Sequence, residues 1–180
     1  GAESNPDPNL IRIIQSSADR AIGMVRQLLT FAKGGIDGQR TSVRIEKLVK
    51  EMQEMMQSTF PKNIETAITI QEPLPAVLGD ATQLHQVLLN LCVNARDAMP
   101  GGGRLSISAQ PFEAVESTLR NVPEAKPGLY VALSVEDDGE GMSPQIMERI
   151  FDPFFTTKAV DKGSGLGLST VLKIVRDHGG

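Results

Sequence analysis

Two clusters in the second half of the chain combine carboxylate, glycine and hydroxyl residues at spacings fit for chemistry. The apolar run Tyr130-Val131-Ala132-Leu133-Ser134-Val135 leads into Glu136-Asp137-Asp138-Gly139-Glu140-Gly141-Met142. This pattern predicts a strand over Tyr130 to Glu136 that carries a carboxylate at its end. Asp138 stands there, where a lone carboxylate can accept a hydrogen bond from an amine. Gly139 and Gly141 let a flat group approach the backbone and allow positive φ. Farther along, Gly163, Ser164, Gly165, Leu166 and Gly167 open a helix expected over Leu168 to Asp177. A glycine-rich turn at a helix N-terminus exposes unpaired N–H groups at the positive end of the dipole, which suits phosphate. A base-binding carboxylate followed by a phosphate cradle reads as a nucleotide site.

A third group lies upstream. Asn90 and Asn94 are four residues apart, so both fall on one face of an otherwise apolar helix. Buried amides need partners. Their oxygens could hold a hydrated Mg²⁺ against phosphates, because Mg²⁺ is content with few protein ligands. Two amides tying down a neighbouring loop is the other reading. Asp97 continues the same edge, and Arg96 is either part of it or a solvated charge. Lys158, in the polar segment Thr156 to Ser164, is available to phosphate.

These residues need a scaffold to position them. Asp7-Pro8 opens a helix as N-cap and first-turn proline. In it Ile11, Ile14, Ala18, Ala21, Val25, Leu28 and Ala32 form a seam of period near 3.5, as in a bundle or coiled-coil helix. Gly34-Gly35-Ile36-Asp37-Gly38 reads as a linker. A second helix is expected over Arg44 to Thr59, with Ile45, Leu48, Met52, Met55 and Met56 on its apolar face and Pro61 after it. Ile64 to Ile70 reads as a strand. Asp80 and Gln83 form a capping box for a helix reaching about Met99, whose Leu84, Val87, Leu88, Leu91, Val93 (less regularly) and Ala95 are expected on the sheet. Leu105, Ile107 and Ala109 alternate as a strand. Gln110 to Gly128 is expected to be an irregular hairpin loop. Ser143-Pro144 starts a short helix, and Phe151, Phe154 and Phe155 suggest an apolar plug between helix and sheet. His178 is expected to cap the last helix.

Composition excludes several classes. The chain has 180 residues and a net charge of −4, which gives no electrostatic case for nucleic acid. Its single cysteine, Cys92, excludes an internal disulfide and any multi-cysteine metal site. No apolar run is long enough for a membrane span or signal peptide. The P-loop pattern G-x-x-x-x-G-K-[ST] is absent.

The same segments carry a resemblance. Asp137 to Met142 (D-D-G-E-G-M), Phe151 to Lys158 (F-D-P-F-F-T-T-K) and Gly163 to Ser169 (G-S-G-L-G-L-S) resemble the G1, F and G2 boxes of sensor histidine kinases. Gln86 to Met99 (Q-V-L-L-N-L-C-V-N-A-R-D-A-M) resembles their N box. Together the four boxes identify the chain as similar to the GHKL superfamily, in the wording of nitrogen-regulation-like or hybrid bacterial kinases. The resemblance implies an α/β two-layer sandwich of the Bergerat type, a mixed sheet backed by three helices, with the family's last strands missing. It implies a remnant of the dimerisation and phosphotransfer domain over residues 1–37 and a catalytic ATP-binding domain over 38–180. It implies ATP and Mg²⁺ as cofactors, contacted by Asn90, Asn94, Asp97, Asp138, Gly139, Gly141, Lys158, Gly163, Ser164, Gly165, Leu166 and Gly167, the metal by Asn94 and Asn90. Thr156 to Ser164 would be the ATP lid. Implied partners are the dimerisation domain, a homodimer mate and a response regulator receiver domain. A cytoplasmic location follows, with membrane attachment of a longer parent left open.

The family's phosphoacceptor motif, a His followed by Asp or Glu at the start of a helix, is absent. His85 and His178 are the only histidines, and His85 flanks the N box, so neither matches the acceptor. A donor site without an acceptor is expected, with no catalytic residue in the chain itself. Two other readings stay open. A GHKL ATPase would carry Glu where Asn90 stands, to activate water as a general base. A pseudokinase would use the nucleotide only to dock partners.

Overall fold

The computed structural model describes residues 40–116, 119, 125–158 and 163–180. The helix expected over residues 8–33 and positions 159–162 of the expected lid lie outside them. The described chain runs β1 (Thr41–Val43), α1 (Ile45–Thr59), β2 (Ile64–Ile70), β3 (Val77–Gly79), α2 (Ala81–Asp97), β4 (Gly103–Ala114), β5 (Gly128–Asp137), α3 (Pro144–Met147) and α4 (Gly167–Asp177).

The α1 helix forms as its spacing predicts. Ile45, Leu48, Val49, Met52 and Met56 recur on one face and are all buried. It ends at Phe60, whose extended backbone (φ −82°, ψ 153°) is what the following Pro61 imposes. The methionines are core: Met52 and Met56 are among the largest fully buried side chains.

β2, β4 and β5 make a mixed sheet in that order, β2 parallel to β4 and β5 antiparallel to it. In β4, Leu105, Ile107 and Ala109 are buried and point to the helices, while Ser106 and Ser108 take the other face. These three pack with the α1 face and with Leu88, Cys92 and Ala95 of α2 into one core. The result is the expected two-layer α/β sandwich. Truncating a core side chain such as Met52 to Ala would cost about 2–5 kcal/mol.

Three expectations need correction. The segment after Ala109 is not a loop from Gln110: β4 runs on to Ala114, paired with β5 down to Ala114↔Gly128. Pro111 is tolerated because of where β2 stops. The Ala109 carbonyl accepts from Gln71 N–H at 2.9 Å, so residues 109 and 111 turn their backbone groups toward the β2 side. The β2 pairing has already ended at Ile70↔Ala109, and no donor is missed at Pro111. Second, Val87 and Leu91 do not face the sheet. They form a separate cluster with Val171, Ile174 and Val175 of α4, which therefore packs on α2. Third, the phenylalanines are no plug. Phe151 and Phe154 are exposed, and only Phe155 is half-buried, under the Arg149 guanidinium 4.4 Å from its ring centre.

Periodicity does not predict the antiparallel pair β1–β3, because three residues per strand are too few to show alternation. Asp80 caps α2 as expected, its carboxylate accepting from Thr82 N–H (2.8 Å) and Gln83 N–H (3.2 Å). The reciprocal half of the capping box is different. The Asp80 N–H, which a glutamine at Gln83 would accept, donates instead to His178 Nε2.

Candidate functional site

Asp138 is placed by three elements. It follows β5, and its Oδ1 accepts the Arg104 N–H at 2.7 Å, at the start of β4. The next turn docks on the C-terminus of α2, where Glu140 N–H donates to the Ala98 carbonyl at 3.1 Å. Gly139 is required there: a Cβ would lie 2.4 Å from that carbonyl oxygen. Asp138 is itself exposed, so one carboxylate oxygen is held and the other is free to meet an amine. Gly141 has φ +67° and open space beside it.

One turn back along α2 lies a charged cluster. Asp97 Oδ1 accepts from Arg96 Nε (2.9 Å) and Nη2 (2.6 Å), and its Oδ2 is 2.7 Å from Lys158 Nζ. Lys158 Nζ also reaches Asn94 Oδ1 at 3.4 Å. Lys158 is set in place by a local turn, its N–H donating to Thr156 Oγ1 at 3.1 Å. Partial burial pushes the Asp97 carboxyl up, but the Lys158 and Arg96 hydrogen bonds and charges outweigh it and hold it below the usual carboxylate range. Arg96 is paired with Asp97 and also lies 5.4 Å from the Phe60 ring centre.

Asn90 faces the start of α4. Its Nδ2 donates to the Gly167 carbonyl at 3.2 Å, and its Oδ1 accepts from Gln86 Nε2 at 2.9 Å. A Cβ on Gly167 would sit 3.7 Å from Asn94 Nδ2, so this backbone passes over both asparagines. The α4 N-terminus has no capping side chain, since its N-cap is Leu166, and Thr170 N–H is the first that the helix's own turn satisfies, through the Leu166 carbonyl. The preceding N–H groups are the orphan donors of a helix start, open to an anion. The Leu166 side chain is buried, so only its backbone serves the site. Ser164 Oγ accepts the Leu166 N–H at 3.4 Å.

The segment between Phe155 and Ser164 is closed at its base. Phe154 N–H donates to the Gly165 carbonyl at 3.0 Å, and both residues have positive φ, 68° and 66°. A Cβ on Gly165 would meet the Phe154 carbonyl carbon at 2.3 Å. Gly163 faces Thr156 and Lys158 so closely that a Cβ there would lie 2.6 Å from Thr156 Oγ1.

Sequence reasoning missed Gly103 and Arg104: the Arg104 N–H holds the Asp138 carboxylate, and a Cβ on Gly103 would lie 2.2 Å from Asp138 Oδ1. The Gly101-Gly102-Gly103 run was legible only as a helix breaker. It missed the positive φ of Phe154, for which an aromatic residue gives no signal.

Asn94 Oδ1, and the second lone pair of Asn90 Oδ1, are hard oxygen donors of the kind Mg²⁺ accepts, so the donor set fits that ion. Among the described residues no group of three or more His, Cys, Asp or Glu could hold a metal by itself. None of the described helices is long and apolar enough to cross a membrane.

The family described as histidine kinase-, DNA gyrase B- and HSP90-like ATPase matches residues 79–180. Sensor kinase CckA of Brucella abortus is 39% identical over 98% of this chain, and this chain covers 19% of it. The sensory histidine kinase/phosphatase NtrB of Azospirillum brasilense is 35% identical over 98% of this chain and 44% of its own length. The chain thus spans less than half of either relative. Among solved structures, full-length ShkA in complex with AMPPNP superposes with a TM-score of 0.71 at 29% identity, covering 93% of this chain and 33% of that one. The catalytic domain of histidine kinase ThkA gives a TM-score of 0.61 at 29% identity, covering 78% of this chain and 82% of that one.

Proposed function

The chain belongs to the histidine kinase-, DNA gyrase B- and HSP90-like ATPase family and carries the ATP-binding catalytic domain of its sensor histidine kinases, and from that premise we propose how its residues serve phosphoryl transfer. Residues 38–180 bind ATP and donate its γ-phosphoryl to a histidine of a dimerisation domain, which passes it to a receiver aspartate of a response regulator. The observation that carries this reading is the row of groups at the end of α2: Asn94 and Asp97, bridged by Lys158 at 3.4 and 2.7 Å, with Asp138 pinned just beyond the helix end.

Each group then has a role. Asp138 accepts the amine of the adenine, and Gly139 and Gly141 let the ring lie against the backbone. The bare N-terminus of α4, with Gly163, Ser164, Gly165, Leu166 and Gly167, supplies N–H donors to phosphate. Lys158 adds a cation. Asn94 and Asn90 would hold Mg²⁺, which when bound neutralises phosphate charge. The protein's part is to position donor and acceptor and to stabilise charge. His178 cannot be the acceptor, since Nε2 takes the Asp80 N–H and Nδ1 lies 2.7 Å from the Ile174 carbonyl. The acceptor lies on the dimerisation domain of the whole protein, a homodimer on the cytoplasmic side, where ATP is present. ATP hydrolysis is slow, because Asn90 is an amide and cannot take a proton from water.

The test is calorimetric titration with AMPPNP, with and without Mg²⁺. Saturable binding that tightens with Mg²⁺ is the expected result. Absence of binding to a folded protein would sink the reading.

A further inference from the structure

Each oxygen of the Asp97 carboxylate meets a cation. Arg96 occupies one oxygen and Lys158 the other, and the Lys158 ammonium extends to Asn94 Oδ1. Two positive charges on one negative leave the cluster with an excess of one. Asn94 Oδ1 is also the oxygen assigned above to a divalent ion, so the ammonium and the ion claim the same acceptor. We propose that Lys158 is a built-in counter-cation that bars free divalent ions from Asn94 and Asp97, so that the site takes metal only together with a polyphosphate. The inference rests on the nucleotide reading above.

The physical argument is one of charge balance. A free divalent ion approaching Asn94 meets an ammonium 3.4 Å from its ligand oxygen and a carboxylate that already carries a cation on each oxygen. A polyphosphate changes both terms: its oxygens attract the Lys158 ammonium and supply the negative charge that the ion needs. The Lys158 side chain retains about a third of its exposure (32%), so it can swing from Asp97 to a phosphate oxygen without unpacking the core. Asp97 is then a positioning residue. It parks the ammonium beside the place where phosphate arrives. Lysine suits this task, being a point charge on a flexible stem.

The experiment uses Mn²⁺ alone as the probe, with bound ion counted by electron paramagnetic resonance on the whole 180-residue chain. Wild type is expected to show no saturable Mn²⁺ site at millimolar ion, and Lys158→Met to gain one at least roughly tenfold tighter, since one unit charge is removed at contact distance from a part-exposed site. Lys158→Arg restores exclusion, and Asp97→Asn added to Lys158→Met abolishes the gain. With AMPPNP present, wild type takes up one Mn²⁺. Equal Mn²⁺ binding by wild type and Lys158→Met would overturn the proposal. Failure of wild type to bind AMPPNP would instead remove the nucleotide reading, and the Mn²⁺ contrast would still decide what Lys158 does.

Discussion

The backbone N–H of Asp80 and the ring of His178, 98 positions apart, share a hydrogen bond of 3.0 Å that ties the start of α2 to the end of α4. The same ring crowds Gly79, where a Cβ would fall 2.6 Å from His178 Cδ2. The Arg40 guanidinium donates to the Asp177 carbonyl beside it. His178→Ala orphans the Asp80 donor and is expected to cost about 1–2 kcal/mol by urea denaturation. Gly79→Ala alone is destabilising, and combining it with His178→Ala costs less than the sum, because the clash partner is gone. Strict additivity of the two would show that the ring does not press on Gly79.

Asp138→Asn is expected to leave the melting temperature nearly unchanged and to weaken AMPPNP about tenfold to hundredfold, the worth of a charged hydrogen bond of about 1.5–3 kcal/mol. The amide oxygen keeps the Arg104 N–H. Its NH₂ group then faces the base amine, donor against donor. Titration calorimetry reads this, and unchanged affinity would remove Asp138 from base recognition.

Acid stability reports on Asp97. Its folded value lies below the ordinary 3.8, so its stabilising contribution is complete above that value and disappears as pH falls below it. Asp97→Asn should therefore be less stable than wild type at neutral pH, by no more than about 1 kcal/mol for a part-exposed pair. The two curves should converge below the ordinary carboxylate range. A gap that persists at low pH would mean that Asp97 acts through packing and not charge.

Gly165→Ala combines a positive φ of 66° with a clash on the Phe154 carbonyl. It is expected to cost about 2 kcal/mol or more and to weaken AMPPNP as the α4 N-terminus shifts. Phe154→Gly is the opposite case. An exposed residue at φ 68° gives up its backbone strain, and stability is expected to hold or rise by about 1 kcal/mol. A large loss would show that the exposed ring is part of the fold.

Cys92 is fully buried and its thiol is pushed up to about 12 by burial. It should react with thiol reagents at pH 8 only on the timescale of unfolding. Fast labelling of native protein would contradict the packing of α2 on the sheet.

Much of this was legible in the residues. The apolar faces of α1 and α2, the Asp80 and Ser143 caps and the strand leading to Asp138 follow from local periodicity and capping chemistry. What stayed hidden depends on contacts between distant segments. Val87 and Leu91 looked like sheet-facing residues because periodicity marks a buried face but not its partner, which is α4. The continuation of β4 past Gln110 was hidden because the tolerance of Pro111 depends on where β2 stops. The exposure of Phe151 and Phe154 could not be read from their hydrophobicity. Asn90 and Asn94 were recognised as a pair, whereas the Lys158 bridge to Asn94 and Asp97 spans 61 or more positions and has no local signal.

The pinch between Phe154 and Gly165 also bears on how this family can vary. The hydrogen bond and the two left-handed residues fix the approach to α4, while Phe155 and Lys158 tie the start of the following segment to Arg149 and to Asn94 and Asp97. The cost of a longer insert grows only with the logarithm of its length, about 0.6 kcal/mol for each doubling. Length can then vary beyond Lys158 while its bridge to Asn94 and Asp97, and the positions of Gly167 and Asp138, are kept.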